Sequence, residues 1–365
     1  MISFAAGEPN FPTPDHVVHA AARALHDVAN HRYTPVAGLA ELRGAIADAT
    51  SRDCSWRVDP SQVLVTNGGK QAVFQAFQTV LNRGDEVLLP TPYWTTYPEA
   101  IRLAEGVPVE VFAGADQDYK VTVSQLEAAR SARTTALVLV SPSNPTGMVY
   151  DTGEMRAIGE WALQHGIWVI SDDIYRRLVY GDLRAASVVE EVPDLARQTI
   201  VINGVAKTYA MTGWRVGWMI GPADVIKVAT NLQSHLTSNV NNIAQRAALA
   251  ALTGPQQPVA EFINTFGRRR QLMLDGLSKI EGLTVPSPDG AFYIYPDVRG
   301  LLGRPWGGRR VSTSLDLAEL ILDRAEVAAV PGEAFGPTGY LRFSFAASDR
   351  DISEGIGRLQ RLFAP

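Results

Sequence analysis

Through the middle of the chain, short apolar runs alternate with longer stretches of amphipathic spacing. Val63-Leu-Val-Thr66, Glu86-Val-Leu-Leu89, Val107-Pro-Val-Glu-Val-Phe112, Ala136-Leu-Val-Leu-Val140, Ile167-Trp-Val-Ile170, Ile200-Val-Ile202 and Trp218-Met-Ile220 each read as a strand. The spacing predicts helices over about Lys70–Leu81, Pro98–Leu103 and Glu154–His165 between them. Near-continuous Val, Ile and Leu runs separated by helices indicate strands buried on both faces, so a mostly parallel, helix-covered sheet is expected. From about Asp224 the pattern turns helical, through Asn242–Leu252 and about Val259–Ile280. Shorter strands follow at Ala291–Tyr295, Val327–Val330 and Tyr340–Phe345, with helices near Leu315–Ala325 and at the end. The expected fold class is therefore α/β, with a larger domain over residues 30–256. A smaller α+β domain is expected from residues 1–29 and 257–365, joined by the long helix after residue 257. Gly300–Arg310, rich in Gly, Arg and Pro, reads as a mobile surface loop.

Composition narrows the class. With 365 residues, 46% apolar and 19% charged, the chain is long enough for about two domains and a large core. A net charge of −5 with a pI near 5.7 gives no basic footprint for nucleic acid. Arg268-Arg-Arg270 is the longest basic run and reads as a solvated helical face. The single cysteine, Cys54, permits no internal disulfide and suits a reducing compartment. No run of 18 apolar residues exists, and Met1–Pro9 lacks the basic region of a secretory signal. A soluble, cytoplasmic protein is expected, with neither membrane nor nucleic acid as partner. The six histidines show no ligand spacing, so no metal is assigned.

Several chemically unusual residues each follow a predicted strand. In an open parallel sheet, ligands bind beyond the carboxyl ends of the strands, so this shared placement points to one site. Lys207, in Asn203-Gly-Val-Ala-Lys-Thr-Tyr-Ala-Met-Thr-Gly-Trp-Arg215, sits among small and turn-prone residues where a solvated charge is poorly explained. Asp172 and Asp173 end an apolar run, with Tyr175 close behind. Gly68-Gly-Lys70 opens a helix directly after a strand, where backbone N–H groups and the helix dipole favour an anion. It is not a Walker A loop, because Gln71 follows the lysine. Together these are the parts needed to hold pyridoxal phosphate. Lys207 would form the Schiff base and serve as base, Asp172 would keep the pyridine nitrogen protonated, and Tyr175 would meet the 3-oxygen. Arg215 would join Gly68, Gly69 and Lys70 at the phosphate. Asp172 and Asp173 also suit a helix N-cap pair. Trp94, in Pro92-Tyr-Trp-Thr-Thr-Tyr97, is a candidate for stacking on the cofactor ring, although core packing would equally suit an aromatic there. Arg342 lies inside the apolar run Tyr340-Leu-Arg-Phe-Ser-Phe345, where an unpaired charge is costly. Its planar fork fits a carboxylate ligand, or an internal salt bridge.

These segments, in this order, resemble the class I/II aminotransferases, the aspartate-aminotransferase-like branch of the pyridoxal-phosphate enzymes. The resemblance rests on Ala6-Gly-Glu-Pro9, Tyr33–Arg43, Thr66–Gln71, Pro92-Tyr-Trp94, Asn144-Pro-Thr-Gly147, Ser171–Tyr175, Lys207–Arg215, Gly290–Tyr293, Val330–Phe335 and Tyr340-Leu-Arg342. It implies that Asn144 contacts the cofactor 3-oxygen and the substrate carboxylate, that Arg342 grips the α-carboxylate, and that Gly7 touches substrate through its backbone. It further implies that Tyr33 reaches the cofactor phosphate of a neighbouring subunit, making the enzyme a homodimer. Lys70 matches a position that pairs with the side-chain carboxylate of dicarboxylic substrates in one branch. Ala206 and Gly204 stand where hydroxyl-bearing residues are common, which removes phosphate contacts. The expected reaction moves an amino group between an L-amino acid, with aspartate or glutamate favoured, and a 2-oxo acid such as 2-oxoglutarate. A β-lyase, decarboxylase or amino-acid oxidase would use the same carbanion and is the alternative; a non-catalytic regulator is a third class.

Overall fold

The computed structural model describes residues 1–306 and 308–364. Its centre is a seven-stranded sheet. The strands are β1 (Val63–Thr66), β2 (Glu86–Thr91), β3 (Val107–Phe112), β4 (Thr134–Val140), β5 (Trp168–Asp172), β6 (Thr199–Gly204) and β7 (Gly217–Ile220). They lie in the order β1-β7-β6-β5-β4-β2-β3. Only β7 runs against its neighbours; the pairs β6–β5, β5–β4, β4–β2 and β2–β3 are all parallel.

The alternation of side chains across the strands explains why the inner runs are apolar. Val65, Leu88, Leu139, Val169, Val201 and Trp218 pack on one face against Leu42, Ile46, Ile158, Trp161 and Ala248. Leu64, Val87, Leu89, Val138, Ile170, Ile200 and Met219 pack on the other against Val73, Phe77, Ile101, Ile226 and Ala229. Over the inner strands both faces are covered by helices, which keeps their middles apolar, whereas the edge strand β3 buries only Val111 and exposes Glu110. The mostly parallel α/β architecture expected from the hydrophobic runs is what the chain forms.

A third buried cluster, with Phe266, Met273, Leu277, Phe292, Tyr293, Leu317, Phe343 and Ile352, lies around the strands β8 (Tyr293–Ile294), β9 (Val330–Pro331) and β10 (Leu341–Ser344). These form a small antiparallel sheet in the order β9-β10-β8. Phe4 joins this cluster, beside a two-residue pairing of Ile2–Ser3 with Val327–Ala328. The helix Asp15–Ala24 does not: Val17 and Ala21 sit with Leu42 and Ala248 in the first cluster. Although placed by sequence in the smaller domain, residues 15–24 therefore pack with the larger layer. Within Gly300–Arg310, Pro305–Trp306 pairs antiparallel with Arg309–Arg310, and Trp306 meets Phe363 edge-on; Gly307 lies outside the described residues.

Strand direction positions the site. The carboxyl ends of β1, β2, β4, β5 and β6 all lie on one edge of the sheet, and β7 begins there because it alone is reversed. Asp172 pairs across with Val140 and Ile202, while Gly217 pairs with Thr66 and Gly204. The turns that follow these residues carry Gly68, Trp94, Asn144, Tyr175 and Lys207, and Arg215 precedes β7. Topology thus gathers segments distant in sequence onto one edge.

Candidate active site

A cavity of about 510 Å³ opens at that edge, and its lining includes Gly7, Glu8, Gly69, Lys70, Trp94, Tyr97, Asn144, Asp172, Tyr175, Lys207, Arg215 and Arg342. Residues 6–8 and β9–β10 close it from the side of the smaller sheet.

Lys207 follows β6 in a turn. Its Nζ donates to the Gly7 carbonyl and lies 5.9 and 5.8 Å from the ring centres of Tyr175 and Phe292. Burial among these groups pushes its amine down to about 8; Arg342 and Arg215 push the same way, while Glu8 and Asp172 oppose. Glu8 is itself held by the Thr212 hydroxyl at 2.8 Å.

Asp172 is the last residue of β5 and is buried. One carboxylate oxygen accepts from the Ile174 backbone N–H at 3.1 Å, and the other from the Tyr97 hydroxyl at 2.8 Å. Burial raises its carboxyl to about 6, against the lowering effect of those two hydrogen bonds. Asp173 takes the opposite face, as alternation along a strand requires, and pairs with Ser171 at 2.8 Å and Arg176 at 3.5 Å. No regular helix follows: Asp172 closes a turn on Ile174, so the alternative of an N-cap pair does not apply.

The turn at Gly68–Gly69 leads into the helix Gly69–Val80. Gly68 has a φ of 81°, a left-handed conformation that suits glycine, and the Arg215 guanidinium packs where a side chain on it would stand. Arg215 is anchored by the Thr212 carbonyl at 2.9 Å and the Asn67 carbonyl at 3.3 Å. Gly217 must also be glycine, because a Cβ there would lie 2.5 Å from the Gly69 nitrogen. A Cβ on Gly204 would likewise lie 3.0 Å from the Gly217 Cα, so close packing accounts for glycine at that position. Lys70 is exposed on the wall with its ammonium 5.1 Å from the Trp94 ring centre.

Arg342, on β10, is buried. Its Nη1 donates to the Asn144 Oδ1 at 2.9 Å and its Nη2 to the Ala5 carbonyl at 2.8 Å, while its Nε has no partner among the described residues. The guanidinium carbon lies 4.4 Å from the Tyr293 ring centre and 5.0 Å from that of Phe335. No carboxylate is among its partners, so the internal salt bridge considered from the sequence is absent among the described residues. A buried, aromatic-clamped cation of this kind is suited to an anionic ligand. Tyr175 is also buried, 2.8 Å hydroxyl to hydroxyl from Tyr293, and burial raises both phenols.

Of the residues singled out from sequence, Tyr33 is 90% exposed and away from the cavity, and Gly68 is not in its lining but packs against Arg215, which is. Glu8, Tyr97, Tyr293 and Phe335 belong to the site but carried no role in the sequence reading. Tyr97 lay within a motif already noticed, and its position three residues after Trp94, at a helix start, was the available signal.

The donor set fits a phosphorylated pyridine aldehyde: a half-buried lysine with a lowered amine, a buried carboxylate, a helix N-terminus with an arginine, and a second arginine short of a partner. Comparison with known proteins agrees with the class of chemistry. The family model "Aminotransferase class I and II" matches residues 1–359. An aspartate aminotransferase of Streptomyces avermitilis is 57% identical over 364 residues, covering 100% of this chain and 89% of that protein. An aspartate/prephenate aminotransferase of Cereibacter sphaeroides is 42% identical, covering 100% and 91%. The crystal structure of the aspartate aminotransferase from Rhizobium meliloti superposes with a TM-score of 0.96 at 39% identity, covering 99% of this chain and 90% of that one.

Proposed function

The chain belongs to the class I and II aminotransferases and is an enzyme that transfers amino groups, and on that premise we propose that it works with pyridoxal 5'-phosphate carried on Lys207. When bound, the cofactor supplies an electron-poor ring that accepts the electron pair left as the amino acid's Cα loses its proton. Lys207, with its amine lowered to about 8, holds the aldehyde and then carries the Cα proton between positions. Asp172, as a carboxylate, would meet the ring nitrogen and keep it protonated. Gly68, Gly69 and Arg215, with Lys70 nearby, hold the phosphate at the helix N-terminus. Asn144 and Tyr175 would donate to the 3-oxygen, and Trp94 would cover the ring. Arg342 takes the α-carboxylate of the substrate, with Asn144 and the Gly7 backbone beside it.

The supporting observation is the buried Arg342 guanidinium with an unpartnered Nε, facing the cavity that also holds Lys207 and Asp172. L-Aspartate or L-glutamate is the donor and a 2-oxo acid such as 2-oxoglutarate the acceptor in this reading. Lys70 would meet the second carboxylate, and the relatives bearing aspartate aminotransferase names support that choice. The exposed Tyr33 would reach the phosphate of a second copy, making the working enzyme a homodimer in the cytoplasm.

The test is a half-reaction. L-Aspartate alone should change the cofactor absorbance once, and 2-oxoglutarate should reverse it; continuous product release without an oxo acid would contradict amino transfer. Lys207→Ala should abolish both the spectral change and turnover. Lys70→Ala should raise the KM for aspartate about fivefold, the worth of one exposed ion pair; an unchanged KM would move the substrate away from dicarboxylic acids.

A further inference from the structure

Tyr97 is fully buried at the start of the helix Thr96–Leu103, one side of its ring in the apolar cluster of Leu89, Val138 and Ile170. A phenol placed there carries one polar atom into an apolar surrounding, which is costly unless that atom is bonded. Among the described residues its hydroxyl has one partner, the Asp172 carboxylate at 2.8 Å. The ring edge also stands against Trp94, centres 5.4 Å apart at 85°, and the Tyr97 backbone N–H donates to the Trp94 carbonyl at 3.0 Å. One side chain therefore touches both the Asp172 carboxylate and the Trp94 indole.

Resting on the cofactor reading above, we propose that Tyr97 is a positioning residue, whose hydroxyl fixes the rotation of the Asp172 carboxylate and keeps it ionised against the cofactor's ring nitrogen. With Oδ2 taken by Tyr97 and Oδ1 by the Ile174 N–H, the carboxylate cannot turn about its Cβ–Cγ bond without losing a bond. The charged and titratable groups facing it are few. Asp173 raises its proton affinity, Lys207 lowers it, and the Tyr97 hydrogen bond is the foremost lowering influence. Burial raises the Tyr97 phenol well above its ordinary value, so it remains a donor wherever the enzyme works. Without this hydroxyl the carboxyl, already near 6, would climb toward neutrality, and the ring nitrogen would lose its counter-charge.

The experiment compares wild type, Tyr97→Phe, Asp172→Asn and the double variant as holoenzymes, using the pyridoxal phosphate dissociation constant and a pH titration of cofactor absorbance. Tyr97→Phe should weaken cofactor binding by about tenfold or more, the worth of a hydrogen bond to a charged group. It should also move the absorbance midpoint to higher pH, because a less firmly protonated ring withdraws less from its lysine-linked end. In the Asp172→Asn background the same change should alter neither value appreciably. Wild-type values in Tyr97→Phe, or an equal loss in the Asp172→Asn background, would overturn the proposal. Loss of folding in cofactor-free Tyr97→Phe, seen by near-UV circular dichroism, would make the bond purely structural and overturn it too. Failure of the wild type to take up pyridoxal phosphate is a separate result, which would defeat the cofactor reading on which this proposal stands.

Discussion

Asp172 is held in a place that disfavours its charge. Its carboxyl is raised from 3.8 to about 6 by burial, so in the cofactor-free protein the ionised form is the strained one. The sign follows from linkage. A carboxyl whose folded value lies above its unfolded value binds its proton more tightly when folded, so stability falls as pH rises from about 4 to about 6. A shift of roughly two units corresponds to about 3 kcal/mol, fully present as a penalty above pH 6 or so. Asp172→Asn should therefore stabilise the cofactor-free enzyme at neutral pH and change little at pH 4, measured by thermal melts at both values. Equal effects at both would show that the carboxylate is not strained. At Lys207 the sign is reversed: the amine is lowered to about 8, so its free form grows as pH rises through that value. The rate of cofactor capture by the cofactor-free enzyme should climb over the same range, and a flat profile in stopped-flow absorbance would contradict this. Arg342→Lys keeps a charge but loses the fork, and should raise the KM for amino acids about ten- to a hundredfold with a smaller change in cofactor affinity.

At the scale of elements, the reversal of β7 is what brings Arg215 beside the turn at Gly68. That approach needs Gly217, whose absent side chain leaves room for the Gly69 nitrogen. Gly217→Ala should destabilise the fold by about 1–3 kcal/mol through overpacking and weaken cofactor binding with it, seen together in melts and equilibrium titration. A variant with normal melting and normal affinity would show the turn to be more tolerant than the geometry implies. The inner strands were legible because they are buried on both faces and so read as apolar runs, while the largely exposed edge strand β3 was legible from the alternation of its valines instead. The helix Ala40–Cys54 was not, since small and charged residues interrupt its apolar face; Asp15–Ala24 does keep one face, but Val17, Ala21 and Ala24 make it a short stripe of mostly small residues. Nor could the sequence separate Val327–Ala328 from Val330–Pro331, two adjoining strands that pair with different partners. Within the site, residues carrying an unusual group at a strand end stand out in the sequence, whereas nothing in it gives the hydroxyls of Tyr97 and Tyr293 a partner. Only the fold reveals that their hydroxyls meet Asp172 and Tyr175.

For the whole molecule, the cavity is lined from two sides, by Lys207 and Asp172 from the large sheet and by Arg342 and Gly7 from the side of the small one. The exposed Tyr33 carries the expectation of a dimer. Light scattering should give twice the chain mass, and mixing Lys207→Ala with Tyr33→Ala protomers should yield a hybrid with one intact site. A monomer with full activity would contradict that arrangement. The claim on which the rest depends is chemical, namely that one lysine carries the cofactor. Borohydride reduction of the holoenzyme followed by proteolysis and mass spectrometry tests it directly. A single pyridoxyl label on the peptide containing Lys207 is the predicted result; no label, or a label on Lys70 or any other lysine, would contradict it.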